Sequence, residues 1–437
     1  LAENPEQTES SSETGRPAPE SRLTQEGIDP ERVAIYRLGW PKHLLWHGYL
    51  PWTRPMIIGL GLWAVFVLLT LLEVRLPPVV RSVSSLLIGM LILRTACDAL
   101  ITAAEKIAAR KRWDHYVAAT LAEMLSTLPE LVAISFVIAV SPEAALTIAL
   151  VTIYNNAFVF SIYSYFLPKN QRGRYLMPRA VTEAGSQLLI AGAGIGSILG
   201  LVMLVFVGAH LPKQEFAIAD LILLSLVMFG IFAVYLTVLI RGYASEEQAV
   251  RAALDLSHEE IAARRTEVYE AVTGTSIGSI SLALVLGVLA ACIGGERVSD
   301  FAATAIGELE INPIATAVLL AAFAGMSEYV ILWRAHRKGQ YRIALANAFG
   351  GITQVMFLVL PFTMLAIGVY QAFGGVVHPE LPLAFSQSTL FLVLLLFPTF
   401  FVLLELIQED HTLGPLDTVI MAAIFVLIIT ILLTYGA

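Results

Sequence analysis

The run VAATLAEMLSTLPELVAISFVIAV, Val117–Val140, decides the fold class. It is long enough to cross a hydrocarbon core roughly 30 Å thick, which takes about 20 apolar residues. Yet it carries Glu123 and Glu130, with Pro129 beside the second. A carboxylate in hydrocarbon is costly unless it is paired, protonated or facing water, so an acid at this depth marks an ion path by default. Pro129 removes one helical hydrogen bond and frees the carbonyl of Leu125 as a candidate ligand.

Stretches of the same kind recur on both sides. Apolar periodicity and the intervening charges place eleven spans near 55–74, 80–106, 114–140, 143–167, 181–209, 216–240, 272–293, 312–334, 342–370, 385–407 and 417–435. With 57% hydrophobic and 14% charged residues over 437 positions, the chain is too apolar for a soluble fold. The period-2 alternation of a membrane barrel is absent, so the fold class is all-α and integral to the membrane. The net charge of −8 comes largely from an acidic N-terminal tail and one acidic loop, so no nucleic-acid partner is expected. Cys97 and Cys292 lie in apolar segments without CxxC or Cys/His spacing, which supports neither a disulfide framework nor a zinc site. The first residues, rich in Glu, Ser and Pro, do not read as a signal peptide.

Residues 1–35 read as a disordered cytoplasmic tail, since their composition cannot bury enough surface to offset ordering. In 36–54, Trp40, Trp46 and Trp52 alternate with Arg37, Lys42, His43 and His47, as suits an interfacial segment. An extra N-terminal helix follows at 55–78, then a first repeat at 79–240, an acidic cytoplasmic connector helix at 241–271 and a second repeat at 272–437. The connector holds Ser245 with Gln248 and Ser257 with Glu260 at capping-box spacing, and reads as solvated helix or a cation-sensing element. Arg54, Lys106, Arg110 to Arg112, Lys169, Arg172, Arg174, Arg179, Arg241, Arg264, Arg265, Arg337, Lys338 and Arg342 fall on one side of the spans. Only Arg75, Arg81, Lys213 and Arg297 fall on the other. This bias predicts a cytoplasmic N-terminus and a C-terminus across a cell (inner) membrane.

The two repeats are related by a constant offset of 198 residues. It carries Glu130 onto Glu328, Asp98 onto Glu296, and Asn155 and Asn156 onto Thr353 and Gln354. The helices of Glu130 and Glu328 run in opposite directions, so the five-helix repeats are inverted, an arrangement that places matched positions at the bilayer midplane. Hard cations want oxygen. Glu130 and Glu328 supply carboxylates, Asn155, Asn156, Gln354 and Asn347 amide oxygens, and Thr127 and Thr353 hydroxyls. When the cation leaves, two close carboxylates in a low dielectric cannot both stay ionised, and proton uptake would make the site an exchanger. Glu123, seven residues before Glu130, is a candidate proton relay or vestibule residue, or one half of a salt bridge. Asp98 has Arg94 one turn away and reads as a structural pair; Asp98 and Glu296 both lie toward predicted span ends. Glu183 and Glu405 are lone acids in apolar helices, with packing and relay roles both open.

These motifs resemble the calcium/cation antiporter superfamily. Ser126 to Glu130 is similar to the Gly-Thr-Ser-x-Pro-Glu motif of its first repeat, without the leading glycine; the first-repeat motif region spans 120–160. In the second motif region, 318–361, Gly325-Met326-Ser327-Glu328 resembles the Gly-Asn-Ala-Ala-Glu of the cation/proton exchanger branch. Ala346 to Gln354, continuing to Pro361, resembles that branch's Gly-x-Ala-x-Gly-Ser-Ala-Thr-Gln run. The first repeat departs from the pattern: no glycine lies between Trp113 and Arg172, and Tyr154-Asn155-Asn156 replaces a Gly-Ser-Asn stretch. Tyr329 stands where the branch often has His. The resemblance implies a secondary antiporter exchanging calcium for protons, with Glu130 and Glu328 shared between cation and proton. Its partners would be the lipid bilayer and inorganic cations, and no cofactor is implied. Sodium coupling is the near alternative, and a transport-inactive scaffold or cation sensor is the other. No HExxH, GxSxG or paired-Asp motif supports an intramembrane enzyme.

Overall fold

A computed structural model of the chain describes residues 52–74, 76–111, 113, 115–169, 174–177, 179–208, 215–253, 276–337, 341–374, 383–384, 386–408 and 412–435. The 1–35 tail, most of the 36–54 segment and the connector beyond Ala253 lie outside them. Helix α1 spans Thr53–Leu71 and α2 Pro78–Lys111. The next span is broken into α3 (His115–Ser126) and α4 (Leu128–Val140), followed by α5 (Pro142–Tyr165), α6 (Arg179–Gly208) and α7 (Ile218–Ala253). In the second half α8 (Ile277–Gly307) precedes a second broken span, α9 (Pro313–Ala324) and α10 (Met326–Arg337). Then come α11 (Tyr341–Gln354), a π-helical turn at Val355–Val359, α12 (Leu360–Gly374), α13 (Gln387–Gln408) and α14 (Pro415–Tyr435). Two short antiparallel ribbons tie the loops together, Tyr175–Leu176 with Thr412–Leu413 and Glu215–Phe216 with Leu383–Ala384.

Among the described residues eleven helical runs are long and apolar enough to cross a membrane, as the sequence predicts. The protein is thus an all-α, multi-pass integral membrane protein. Its burial is that of a bundle in lipid. The span Pro142–Tyr165 is 83% buried, whereas Thr53–Leu71 is 17% buried and turns Ile57, Leu68 and Leu71 outward.

One span differs from expectation. The seventh ends at Gly307, not near 293, so Glu296 and Arg297 lie inside α8 rather than at its end. Arg297 donates to Glu296 at 2.9 Å and pairs with Asp300 at 2.8 Å, while its guanidinium stands 5.5 Å from the Phe66 ring centroid. Charges that read as a loop are satisfied within the helix and by an aromatic face.

The two breaks sit at Thr127 (φ −78°, ψ −18°) and Gly325 (φ −70°, ψ 17°), 198 residues apart. Pro129 at the start of α4 enforces the first break. The carbonyl that gathers partners there is that of Glu123, which accepts from Ser126 Oγ at 2.8 Å and Thr127 Oγ1 at 2.9 Å; the sequence had pointed to Leu125. Side-chain hydroxyls re-satisfy the broken backbone, as a break at membrane depth requires. The π-turn has a similar cause. Pro361 lacks an N–H, so the ladder widens ahead of it, directly after Gln354.

Helices α2 and α8 pack antiparallel along their length. A Cβ on Gly89 would stand 3.0 Å from the Gly294 carbonyl oxygen, and one on Gly287 3.4 Å from that of Ala96. Glycine lets the two backbones approach, as in other membrane helix pairs. The offset carries Gly89 onto Gly287 and Ala96 onto Gly294, so the two contacts are equivalent.

Candidate functional site

Glu130 lies in the first turn of α4 and Glu328 in the first turn of α10, 5% and 4% exposed. Each break therefore presents a glutamate at a fresh helix N-terminus, where unsatisfied N–H groups favour negative charge. Asn155 and Asn156 are buried on α5, and Asn347, Thr353 and Gln354 on α11.

The amides lock the two halves together. Gln354 Nε2 donates to Thr127 Oγ1 at 2.7 Å and reaches the Glu123 carbonyl at 3.4 Å. In the other half, a Cβ on Gly325 would meet Asn156 Oδ1 at 2.9 Å. The offset carries Asn156 onto Gln354 and Thr127 onto Gly325, so each half's amide touches the other half's break. Gly351 brings the second glutamate in: a Cβ there would stand 2.8 Å from Glu328 Cγ and 3.2 Å from Asn156 Nδ2. Asn155 Nδ2 donates to the Tyr329 hydroxyl, which donates to the Ala322 carbonyl at 3.3 Å.

Buried polar atoms are nearly always hydrogen-bonded, so those left over are informative. Both carboxylate oxygens of Glu130, both amide atoms of Asn156, Gln354 Oε1 and Glu123 Oε1 are buried without a hydrogen-bond partner. Five of the six are acceptors or accept when ionised. A cavity of about 50 Å³ beside Glu130, lined by Leu93, Cys97, Ser126, Pro129 and Met326 among others, exceeds the roughly 10–15 Å³ that one water needs. Among the described residues no group of three or more His, Cys, Asp or Glu side chains is placed to hold a metal ion. A cation here would rest on two carboxylates and neutral oxygens.

Not every candidate joins this arrangement. Asn347 is buried two turns before Gln354, and no described contact joins it to either glutamate. Thr353 spends its hydroxyl proton on the Gly350 carbonyl at 2.9 Å, leaving oxygen lone pairs free to accept. Asp98 is buried in mid-α2, and Glu183 and Glu405 are exposed on helix surfaces. Sequence reasoning missed Tyr329 and the pair Gly350-Gly351 as positioning elements; two adjacent glycines inside a helix, each costing helix stability, were the available signal.

Residues 260–434 match the family model described as "Sodium/calcium exchanger protein". The crystal structure of the H+/Ca2+ exchanger CAX aligns at TM-score 0.57 and 15% identity, covering 87% of this chain and 89% of that chain. The structure of native YfkE aligns at TM-score 0.55 and 12% identity, covering 86% and 97%. The sodium-calcium exchanger NCX_Mj aligns at TM-score 0.48 and 14% identity, covering 80% and 98%. The comparison with curated proteins returns no match. The second half of the chain is thus similar to the sodium/calcium exchanger family, in line with the resemblance of its motifs, and the chain has the fold of the CAX exchanger.

Proposed function

We propose that this chain, whose second half matches the sodium/calcium exchanger family and whose fold is that of CAX, is a secondary active antiporter exchanging calcium for protons. The observation that supports this reading is the set of buried, unpartnered oxygens on Glu130, Asn156 and Gln354, gathered where two helix breaks meet. Oxygen donors of this kind suit a hard cation, and calcium tolerates mixed carboxylate and amide ligation. Glu130 and Glu328 are shared between cation and protons. Loaded, the cation compensates both carboxylates; released, the pair takes protons instead, since two bare carboxylates in low dielectric repel each other. Asn155, Asn156, Gln354, Thr127 and Thr353 complete the lining. Alternating access comes from rocking the α2–α8 pair against the helices that carry the site.

The N-terminus is cytoplasmic in this reading, by the Lys/Arg bias of the loops. The inverted repeats at 79–240 and 272–437 supply the two access states, supported by the coincidence of the Thr127 and Gly325 breaks. Proteoliposomes with an imposed pH gradient test the proposal. Proton-coupled calcium flux that vanishes in Glu130→Gln and Glu328→Gln is expected; flux undiminished in both would sink it. Sodium coupling is the second reading, motivated by the description of the matched family, and a sodium gradient in place of the pH gradient decides between them. A chain that binds calcium but carries no flux under either gradient would be the sensor or scaffold instead.

A further inference from the structure

A third acid adjoins this site and has no part in the two-glutamate scheme. The Glu123 carboxylate packs against Gly350 so closely that a side chain at 350 would collide with it, while Glu328 Cγ packs against the neighbouring Gly351. Two successive glycines of α11 thus lie between carboxylates from the two halves. Among the described residues Glu123 makes no salt bridge, the alternative that the sequence allowed. Glu123 Oε1 is buried without a hydrogen-bond partner.

An independent observation points to a ligand at this position. Gln354 is 3% exposed and its Nε2 is committed to Thr127 Oγ1 and the Glu123 carbonyl. That fixes the amide orientation and leaves Oε1 unpartnered on a side chain anchored at the Glu123 backbone. Tyr235 of α7 hydrogen-bonds Thr353, which itself bonds Gly350 against the Glu123 carboxylate, adding two hydroxyl oxygens. The offset carries position 123 onto Ala321, which is fully buried. The two approaches to the site are therefore chemically unlike, acidic on the α3 side and apolar on the α9 side.

We propose that Glu123 is a further cation ligand. With Gln354 Oε1 and the hydroxyl oxygens of Thr353 and Tyr235, it forms a second station for the same hard divalent cation, adjoining the Glu130–Glu328 station. A buried acid beside another of like sign either holds a proton or shares positive charge, and oxygen-only surroundings suit a hard ion in the proton's place. The inference rests on the antiporter reading of the site, and calcium is the probe.

The full chain in nanodiscs is titrated with calcium by calorimetry, and in proteoliposomes its calcium KM and maximal rate are measured separately. Glu123→Gln should weaken calcium binding and raise KM by about tenfold, the loss of one charged ligand, with the maximal rate kept within about twofold. Glu123→Asp should restore most of the affinity. Gly350→Ala, which displaces the carboxylate without removing it, should act like Glu123→Gln and guards against a variant that fails to fold. Unchanged KM and binding in Glu123→Gln would overturn the station, and so would a fall in maximal rate alone. If the wild type binds calcium but carries no flux, the antiporter reading fails while the calorimetric comparison still judges Glu123. A wild type that binds neither calcium nor sodium overturns both.

Discussion

Lys106, buried in α2, donates its ammonium to the Ser279 hydroxyl at the start of α8. At the opposite end of the pair, Arg81 of α2 donates to Thr304 of α8 at 3.4 Å and pairs with Glu308. The offset carries Lys106 onto Thr304 and Arg81 onto Ser279, so this is one contact made twice, with base and hydroxyl exchanged. Glycine contacts join the helices between these clasps. In the rocking scheme proposed above, a pair held at both ends and the middle should move as a unit. In a Cys292→Ser background, bridging Lys106→Cys to Ser279→Cys with a short thiol reagent should leave transport within about twofold, since packed, hydrogen-bonded elements shift as rigid bodies. Bridging Gly295→Cys to Ala133→Cys should abolish it, because a Cβ at 295 stands 3.1 Å from Ala133 Cα and ties α8 to α4, across the surface that must move. Block by the first bridge, or tolerance of the second, counts against the rocking pair.

The glycine pair on α11 makes a steric prediction. Alanine normally stabilises a helix by about 0.5–1 kcal/mol over glycine. Gly194→Ala, whose Cβ meets nothing within 4 Å, should show that gain as a higher melting temperature with unchanged flux. Gly351→Ala should not, because its Cβ would stand 2.8 Å from Glu328 Cγ and push the carboxylate off its position. Flux should fall by at least about tenfold there, a scale set by misplacement of a coordinating group. Equal behaviour of the two variants, in a thermal melt and a flux assay, would remove the glycines from the account.

The amide pair tests whether the inverted symmetry is functional. Gln354→Ala leaves Thr127 Oγ1 without its donor, whereas Asn156→Ala deletes an amide whose polar atoms have no hydrogen-bond partner. Gln354→Ala should therefore cost about 1–3 kcal/mol of stability and Asn156→Ala little, by the asymmetry between breaking a hydrogen bond and removing an unsatisfied group. Both should raise the calcium KM. Chemical denaturation of detergent-solubilised protein against the flux KM separates the two effects.

Much of this architecture was legible in the sequence, for physical reasons. Apolar runs of membrane length admit few alternatives to helix, and Pro129 and Gly325 mark backbone that a helix cannot continue smoothly. Glu130 and Glu328 stand out because hydrocarbon makes a charge conspicuous, and the offset of 198 residues ties them together from the sequence alone. Three things were hidden. The C-terminal half of α8 looked like a loop because Arg297 finds Glu296, Asp300 and Phe66 only in three dimensions. Asn347 shares its residue type with Asn155 and Asn156 and its helix with Gln354, but its described surroundings do not include the glutamates. Tyr235 gave no signal, since a tyrosine in an apolar helix is ordinary and its bond to Thr353 depends on how α7 packs.

Tyr329 stands where the branch that the second half resembles often has His, and its environment explains what a tyrosine does there. Its hydroxyl accepts from Asn155 Nδ2 and donates to the Ala322 carbonyl, near the end of α9. It therefore bridges the broken span to α5 and fixes which way the Asn155 amide faces. With the nitrogen committed to Tyr329, the oxygen is the Asn155 atom left to serve a cation in the proposed site. Tyr329→Phe keeps the ring but loses both bonds, at about 1 kcal/mol each. The amide is then free to flip, so calcium KM should rise several-fold while the melting temperature falls only slightly. Tyr329→His restores a ring nitrogen able to accept from Asn155 and should recover part of the affinity. If Tyr329→Phe transports like the wild type at limiting calcium, the hydroxyl is a packing feature of α10 and Asn155 is not held for the ion.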